Sequence, residues 1–362
     1  MTMPGFRASK DGRARRRGAT PALVAERVLL VVVVAVLVTV VAVGCGRTTP
    51  EADGTPRIAE EDPGAGESVP PTSERVPPSS VDPIGVGVMH LTVIDPSRAT
   101  SPRGGRPAVG QRELSLTVRY PIDAAPDVGE SADAVPFGQW PLIMFAHGFD
   151  ASAATYAAVL HALAASGAVV VAPEFPLSSS AIDGAAIEGD EPEQARDLRF
   201  VIDSLLGAGV PAVLGAAIEP GPVGVIGHSD GAQTALLAGF APAYRDARIG
   251  AVVAVSGRFS TFGGQWFAPG RPALLVVQAS ADEFNPFRFG EELVRVDGGP
   301  AALVAADGVT HLGVVTDPMV VDPVARLIAD TFAWRLRGST AARDRIAGDS
   351  LVPPLRPVAS HG

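Results

Sequence analysis

The chain has 362 residues, 29 of them basic against 39 acidic for a formal net charge of −10, and 47% of it is apolar. That balance excludes whole-chain disorder, and the acidity argues against nucleic acid as the main partner. A single cysteine excludes a disulfide framework or a multi-thiolate metal cluster within one chain, and the six histidines contain no metalloprotease-type HxxxH pair.

Residues 1–44 read as a leader. Arg7, Lys10, Arg13, Arg15, Arg16, Arg17 and Arg27 make it basic, and Val28 to Val43 then runs for sixteen residues without a charge. That length suits the apolar core of a signal peptide and falls short of the about 20 residues a membrane span needs. A basic flank stays on the cytoplasmic side, so everything downstream is expected to be exported. The run ends in Ala42-Val43-Gly44-Cys45, which resembles a bacterial lipobox, where small residues admit cleavage and the thiol is then diacylated. Lipidation at Cys45 would hold the protein on the outer face of the cytoplasmic membrane. An uncleaved anchor helix and free secretion are the alternatives. Residues 45–84, rich in Pro, Glu, Ser, Gly and Thr, offer few large apolar groups to offset ordering entropy and are expected to form the lipidated, flexible linker.

From Gly85 the pattern changes. Gly85–Ile94 and Glu113–Tyr120 alternate apolar and polar positions and are predicted to pair antiparallel at a sheet edge, with a loop between them. Pro141–Ala146 and Ala168–Ala172 are short apolar runs suited to strands buried on both faces, and Tyr156, Val159, Leu160 and Leu163 between them follow helical spacing. The alternation continues as helix Pro192–Leu206, strand Val223–Gly227, helix Gly231–Phe240, strand Ala251–Ser256 and strand Ala273–Gln278. Helix Phe289–Val296, strand Ala301–Ala306 and helix Pro323–Arg337 complete it. Eight strands interleaved with helices imply one α/β domain over residues 85–348, its sheet mainly parallel and covered on both faces. A short helix is expected near Ala341–Ile346, and residues 349–362 are expected to be a disordered tail.

Gly227-His228-Ser229-Asp230-Gly231 carries the chemistry. The G-x-S-x-G pattern is weak alone, but here it follows an apolar strand and opens a helix, the context of a nucleophile elbow. A serine hydroxyl needs a base, and the base an orienting acid; in folds that carry such an elbow the chain order is Ser, then Asp or Glu, then His. Asp282 follows the strand Ala273–Gln278 and His311 follows Ala301–Ala306, so both reach the sheet edge where Ser229 lies. Glu283 and, more weakly, Asp307 compete for the acid. His90 lies in an edge strand, His161 on a helix flank and His361 in the tail. His228 is expected to pack or hydrogen-bond beside the nucleophile rather than take its proton. In Phe145-Ala146-His147-Gly148-Phe149, the Phe149 amide, with that of Asp230, is expected to form the oxyanion hole. The Phe149 side chain either lines an acyl pocket or packs in the core. The Asp230 carboxylate is expected to stabilise the first helical turn. Leu177–Glu193, with five acidic residues, is either a solvated loop or a small acidic rim or lid.

On these residues the chain resembles the α/β-hydrolase superfamily, and within it extracellular serine esterases and lipases. Gly87-Val-Met-His-Leu-Thr-Val-Ile-Asp95 and Leu116-Thr-Val-Arg-Tyr-Pro121 are similar to the opening of platelet-activating-factor acetylhydrolase-like and dienelactone-hydrolase-like proteins. Arg196-Asp-Leu-Arg-Phe-Val-Ile-Asp203 resembles their helix before the nucleophile strand, and chlorophyllase-like and polyester-degrading proteins share the same core. Dienelactone hydrolases proper use a cysteine, so Ser229 points toward carboxylester hydrolysis. The resemblance implies the α/β-hydrolase fold with a mainly parallel eight-stranded sheet, a triad of Ser229, Asp282 and His311, no metal or organic cofactor, and a small-molecule or lipid ester as substrate. Acyl transfer by the same triad, or a catalytically silent ligand-binding lipoprotein, are the alternatives.

Overall fold

A computed structural model describes residues 84–361, apart from 127–128, 133, 259–265 and 268–269. The leader, Cys45 and nearly all of the linker lie outside the described residues. In chain order the elements are β1 Gly85–Asp95, β2 Arg112–Ile122, β3 Glu130–Ala132, β4 Leu142–Ala146, α1 Ala157–Ala165, β5 Val169–Pro173, α2 Glu191–Leu206 and α3 Ala212–Ala217. They continue with β6 Val223–His228, α4 Asp230–Phe240, β7 Ile249–Val255, β8 Ala273–Ala279, α5 Arg288–Asp297 and β9 Ala301–Ala306. The last four are α6 Gly313–Thr316, α7 Pro318–Arg337, α8 Thr340–Asp349 and β10 Leu355–His361. All ten strands form one sheet in the order β10-β9-β8-β7-β6-β4-β5-β2-β1-β3.

The six central strands, β4 to β9, are mutually parallel. Their continuous apolar runs are explained by burial on two faces. In β5, Val169 and Val171 enter one core cluster and Val170 and Ala172 the other. In β8, Leu274 and Val276 face one way, Leu275 and Val277 the other. α2, α3, α4 and α5 cover the first face, and α1, α6 and α7 the second. α4, made largely of small residues, is buried from Gly231 to Phe240 and lies close under β6 and β7. Among the described residues no helix is long and apolar enough to cross a membrane.

Three differences from expectation have local causes. Among the described residues the sheet has ten strands rather than eight. β3, three residues beside β1, is held by the Arg119–Glu130 ion pair at 2.6 Å. The segment expected as a disordered tail instead supplies β10, antiparallel to β9, with Leu355 buried and Arg356 paired to Asp307 at 2.6 Å. A peptide with little apolar alternation can join because the β9 edge already offers its hydrogen bonds, and Pro357, which has no N–H, is tolerated at an edge. Finally, α7 starts at Pro318 rather than Pro323, since Asp317 caps it by accepting from the Met319 amide at 2.9 Å and proline fits the first helical position.

Candidate active site

Ser229 lies at the turn from β6 into α4, with φ 57° and ψ −122°. A residue with a Cβ rarely adopts this backbone, and it persists where neighbours over-determine it. Here the Ser229 amide donates to the Val255 carbonyl at 3.1 Å, and the Ala232 amide donates to the Ser229 carbonyl at 3.0 Å. A Cβ on Gly227 would overlap the Gly231 carbonyl, and one on Gly231 the Ala146 carbonyl. Strand and helix therefore touch backbone to backbone, which is the physical content of the two glycines in the pentapeptide.

Ser229, Asp282 and His311 follow β6, β8 and β9, and the parallel sheet brings all three to one edge. His311 Nε2 is 2.9 Å from Ser229 Oγ, and His311 Nδ1 is 2.8 Å from Asp282 Oδ2. The carboxylate accepts from Nδ1–H, leaving the Nε2 lone pair toward the hydroxyl. Asp282 Oδ1 also accepts from the amides of Asn285 at 2.7 Å and Phe284 at 2.9 Å. Burial pushes the Asp282 carboxyl up, but these bonds, led by that from His311, outweigh it and hold the group below the ordinary carboxylate range.

The rival acids are placed elsewhere. Glu283 Oε2 accepts from the main-chain amide of His311 at 3.1 Å, and Asp307 is engaged by Arg356. Of the other histidines, His90 is exposed on β1, His161 contacts Glu130 at 3.1 Å, and His361 ends β10. His228 is buried beside Ser229, and its imidazole is pushed down to about 3, first by burial and then by the nearby His311.

His147-Gly148-Phe149 faces the elbow. The Phe175 amide donates to His147 Nε2 at 3.1 Å, so His147 carries its proton on Nδ1 and donates it to the Gly148 carbonyl at 2.8 Å. In a trans peptide the carbonyl and the following N–H point in opposite directions, so this bond aims the Phe149 amide away from His147. The Gly148 amide itself is taken by Tyr156 Oη at 2.9 Å. The amides of Phe149 and Asp230 have no hydrogen-bond partner among the described residues, and Asp230 begins α4, where amides lack intrahelical acceptors. A Cβ on Gly148 would sit 3.0 Å from Ser229 Cβ, which is how closely this segment approaches the serine.

These groups share a cavity of about 440 Å³, whose lining includes Phe149, Phe284, Leu312, Glu188 and Arg258. The Phe149 side chain is thus part of the cavity wall. Phe284 stands edge-on to the His311 ring, with centroids 5.2 Å apart. Burial pushes the Asp230 carboxyl up, with Arg258 opposing. In the stretch 177–193 the two ends are buried while residues 180–189 are mostly exposed, a solvated loop from which Glu188 reaches the cavity. The buried Arg103 guanidinium donates to the carbonyls of Pro176 at 3.1 Å, Ser179 at 2.6 Å and Gly184 at 3.0 Å.

Sequence reasoning missed Asn285 and Tyr156. The Asn285 side chain donates to the Ser256 carbonyl at 2.8 Å, pinning the Asp282 turn to the end of β7. The only local signal was an Asp followed by Asn three positions on. Tyr156 was legible only as one apolar member of a helical stripe.

The family model described as Chlorophyllase matches residues 133–258, a stretch that includes Ser229 but ends before Asp282 and His311. No curated protein matches the chain. Among solved structures, a ferulic acid esterase from Streptomyces cinnamoneus superposes with a TM-score of 0.56 at 21% identity, covering 70% of this chain and 91% of that one. The chain has the α/β-hydrolase fold, and residues 133–258 are similar to the family described as Chlorophyllase.

Proposed function

We propose that this chain is an exported serine carboxylester hydrolase, anchored at the membrane by lipid on Cys45 and working through an acyl-enzyme on Ser229. The observation that carries the reading is the His311 imidazole, which bridges Ser229 Oγ at 2.9 Å and Asp282 at 2.8 Å on the wall of a cavity. His311 Nε2 takes the hydroxyl proton as Oγ attacks the ester carbonyl carbon. The carbonyl oxygen becomes an oxyanion facing the Phe149 and Asp230 amides. As the intermediate collapses, the C–O bond to the alcohol breaks and His311 returns the proton to the leaving alkoxide. Water, deprotonated by the same imidazole, then attacks the acyl-enzyme, the acid departs and Ser229 recovers its proton. Asp282 stays ionised and holds the imidazole throughout. None of these steps calls for a metal or an organic cofactor.

A cavity of about 440 Å³ suits a small-molecule ester or one acyl chain of a lipid. The names attached to the two matches, a chlorophyllase and a ferulic acid esterase, both describe ester cleavage and support this reading. Turnover of p-nitrophenyl esters of rising acyl length, lost by about 10⁶-fold in Ser229→Ala, is the expected result. A folded protein that cleaves none of them counts against it. Product analysis with added alcohols separates hydrolysis from acyl transfer. For the anchor, acyl-lipid labelling should vanish in Cys45→Ser, and undiminished labelling refutes it.

A further inference from the structure

We infer that His228 and Tyr156 are positioning residues that fix the base of the proposed triad relative to its nucleophile and oxyanion segment. The inference rests on the serine-hydrolase reading above and goes beyond it. Ser229 follows β6 and His311 follows β9, with β7 and β8 between them in the sheet. At about 4.8 Å per strand, the two loops leave strands roughly 14 Å apart. Something must set how far the His311 turn leans back. That turn is Gly308-Val309-Thr310-His311-Leu312-Gly313, with glycine at both ends and Leu312 exposed.

His228, the last residue of β6, spans the gap. Its Nε2 lies 2.9 Å from the His311 carbonyl oxygen, and its Nδ1 lies 3.0 Å from Tyr156 Oη. A carbonyl only accepts, so Nε2 carries the proton; the buried neutral ring then has a bare Nδ1, to which the Tyr156 hydroxyl donates. Tyr156 Oη in turn accepts from the Gly148 amide at 2.9 Å. The result is one directed chain, from Gly148 N–H to Tyr156 O–H to the His228 ring to the His311 carbonyl. Tyr156 and His228 are both almost fully buried, so water cannot replace a missing member without a cavity opening. The chain grips three parts at once: the segment bearing the Phe149 amide, the residue before Ser229, and the main chain of the base. It also keeps His228 neutral at a ring-centroid distance of 4.7 Å from His311, where a second positive charge would oppose the imidazolium formed in turnover.

The test compares His228→Leu, which removes both bonds, with His228→Gln, whose amide can donate to the His311 carbonyl and accept from Tyr156. Each variant is first checked for wild-type circular dichroism. The rate of fluorophosphonate labelling and kcat for p-nitrophenyl acetate should fall about 10²-fold in His228→Leu with KM little changed, because misplacement on the ångström scale acts on the chemical step. His228→Gln should recover most of that loss. Nitrogen-15 NMR of the wild type should show His228 neutral and protonated on Nε2 from pH 5 to 9, and losing its hydrogen-bonded Nδ1 signature in Tyr156→Phe. A folded His228→Leu that labels as fast as a reactive wild type overturns the inference alone. So does a His228 protonated on Nδ1. A wild type inert to the fluorophosphonate overturns the hydrolase reading and the positioning role with it.

Discussion

Glu283 accepts a hydrogen bond from the main-chain amide of His311 at 3.1 Å, while its neighbour Asp282 holds the imidazole of the same residue at 2.8 Å. Two adjacent carboxylates thus grip one histidine by different handles. Only the one on Nδ1 sets the tautomer. Asp282→Asn places an amide where it can donate to Nδ1, which favours the tautomer that cannot accept the Ser229 proton; kcat/KM should fall by about 10⁴-fold. Glu283→Gln keeps an acceptor for the His311 amide, and the loss should stay within about tenfold. Esterase kinetics on p-nitrophenyl acetate decide it, and a larger loss in Glu283→Gln would reverse the assignment.

The parallel core was legible because runs such as Val223–Gly227 and Ala301–Ala306 are apolar without interruption, and only strands buried on both faces need that. The edge at which Ser229, Asp282 and His311 meet was legible for the same reason, since each follows a parallel strand. Tyr156 was not, because its hydroxyl meets Gly148 eight residues before it and His228 seventy-two after it, and helical spacing records only its ring. β10 was hidden differently. Leu355–His361 has no strong pattern of its own, and the β9 edge supplies what the segment lacks.

Protons offer a second test. The His228 imidazole, ordinarily near 6.5, is pushed down to about 3 by burial, and burial lowers His147 as well. Between those values the unfolded chain binds a proton that the folded chain refuses. Stability is therefore full above about 6.5 and falls with pH toward 3. Asp282 works in the same sense lower down: its depressed carboxyl adds stability above the ordinary value of 3.8 that is lost as pH falls through its folded value. His228→Gln should flatten the decline between 6.5 and 3 by up to one proton's worth, about 1.4 kcal/mol per pH unit. Urea midpoints at pH 7, 6, 5 and 4 measure this, and an unaltered slope contradicts it.

A buried ion cluster that precedes Ser229 in the chain should dominate the mutational cost in α2. Arg112, 1% exposed, contacts Asp197 at 2.7 Å and Asp190 at 2.6 Å, and Arg98 joins Asp197 at 2.7 Å. Removing one partner strands charge away from water, so Asp197→Ala should destabilise by about 3–5 kcal/mol. The exposed Arg343–Asp344 pair is the control, and Asp344→Ala should lie within about 1 kcal/mol of wild type. Denaturant melts of the two variants should differ accordingly; equal midpoints would show that the cluster adds nothing beyond a surface pair.

The last strand offers the sharpest check on the sheet itself. β10 covers the edge of β9 from Ala306 to Ala301, and it buries Leu355 against the α1 and α7 face. Ending the chain at Ser350 would remove that side chain, a loss of about 1.5–3 kcal/mol, and leave the apolar β9 as an unpaired edge. The truncated protein should melt earlier and self-associate as concentration rises. Arg356→Ala, which removes only the exposed partner of Asp307, should do neither, because the backbone ladder rather than the ion pair holds the strand. Light scattering across a concentration series, alongside thermal melts, separates the two. A truncation that stays monomeric with an unchanged melt would mean that β9 is protected by something other than residues 355–361.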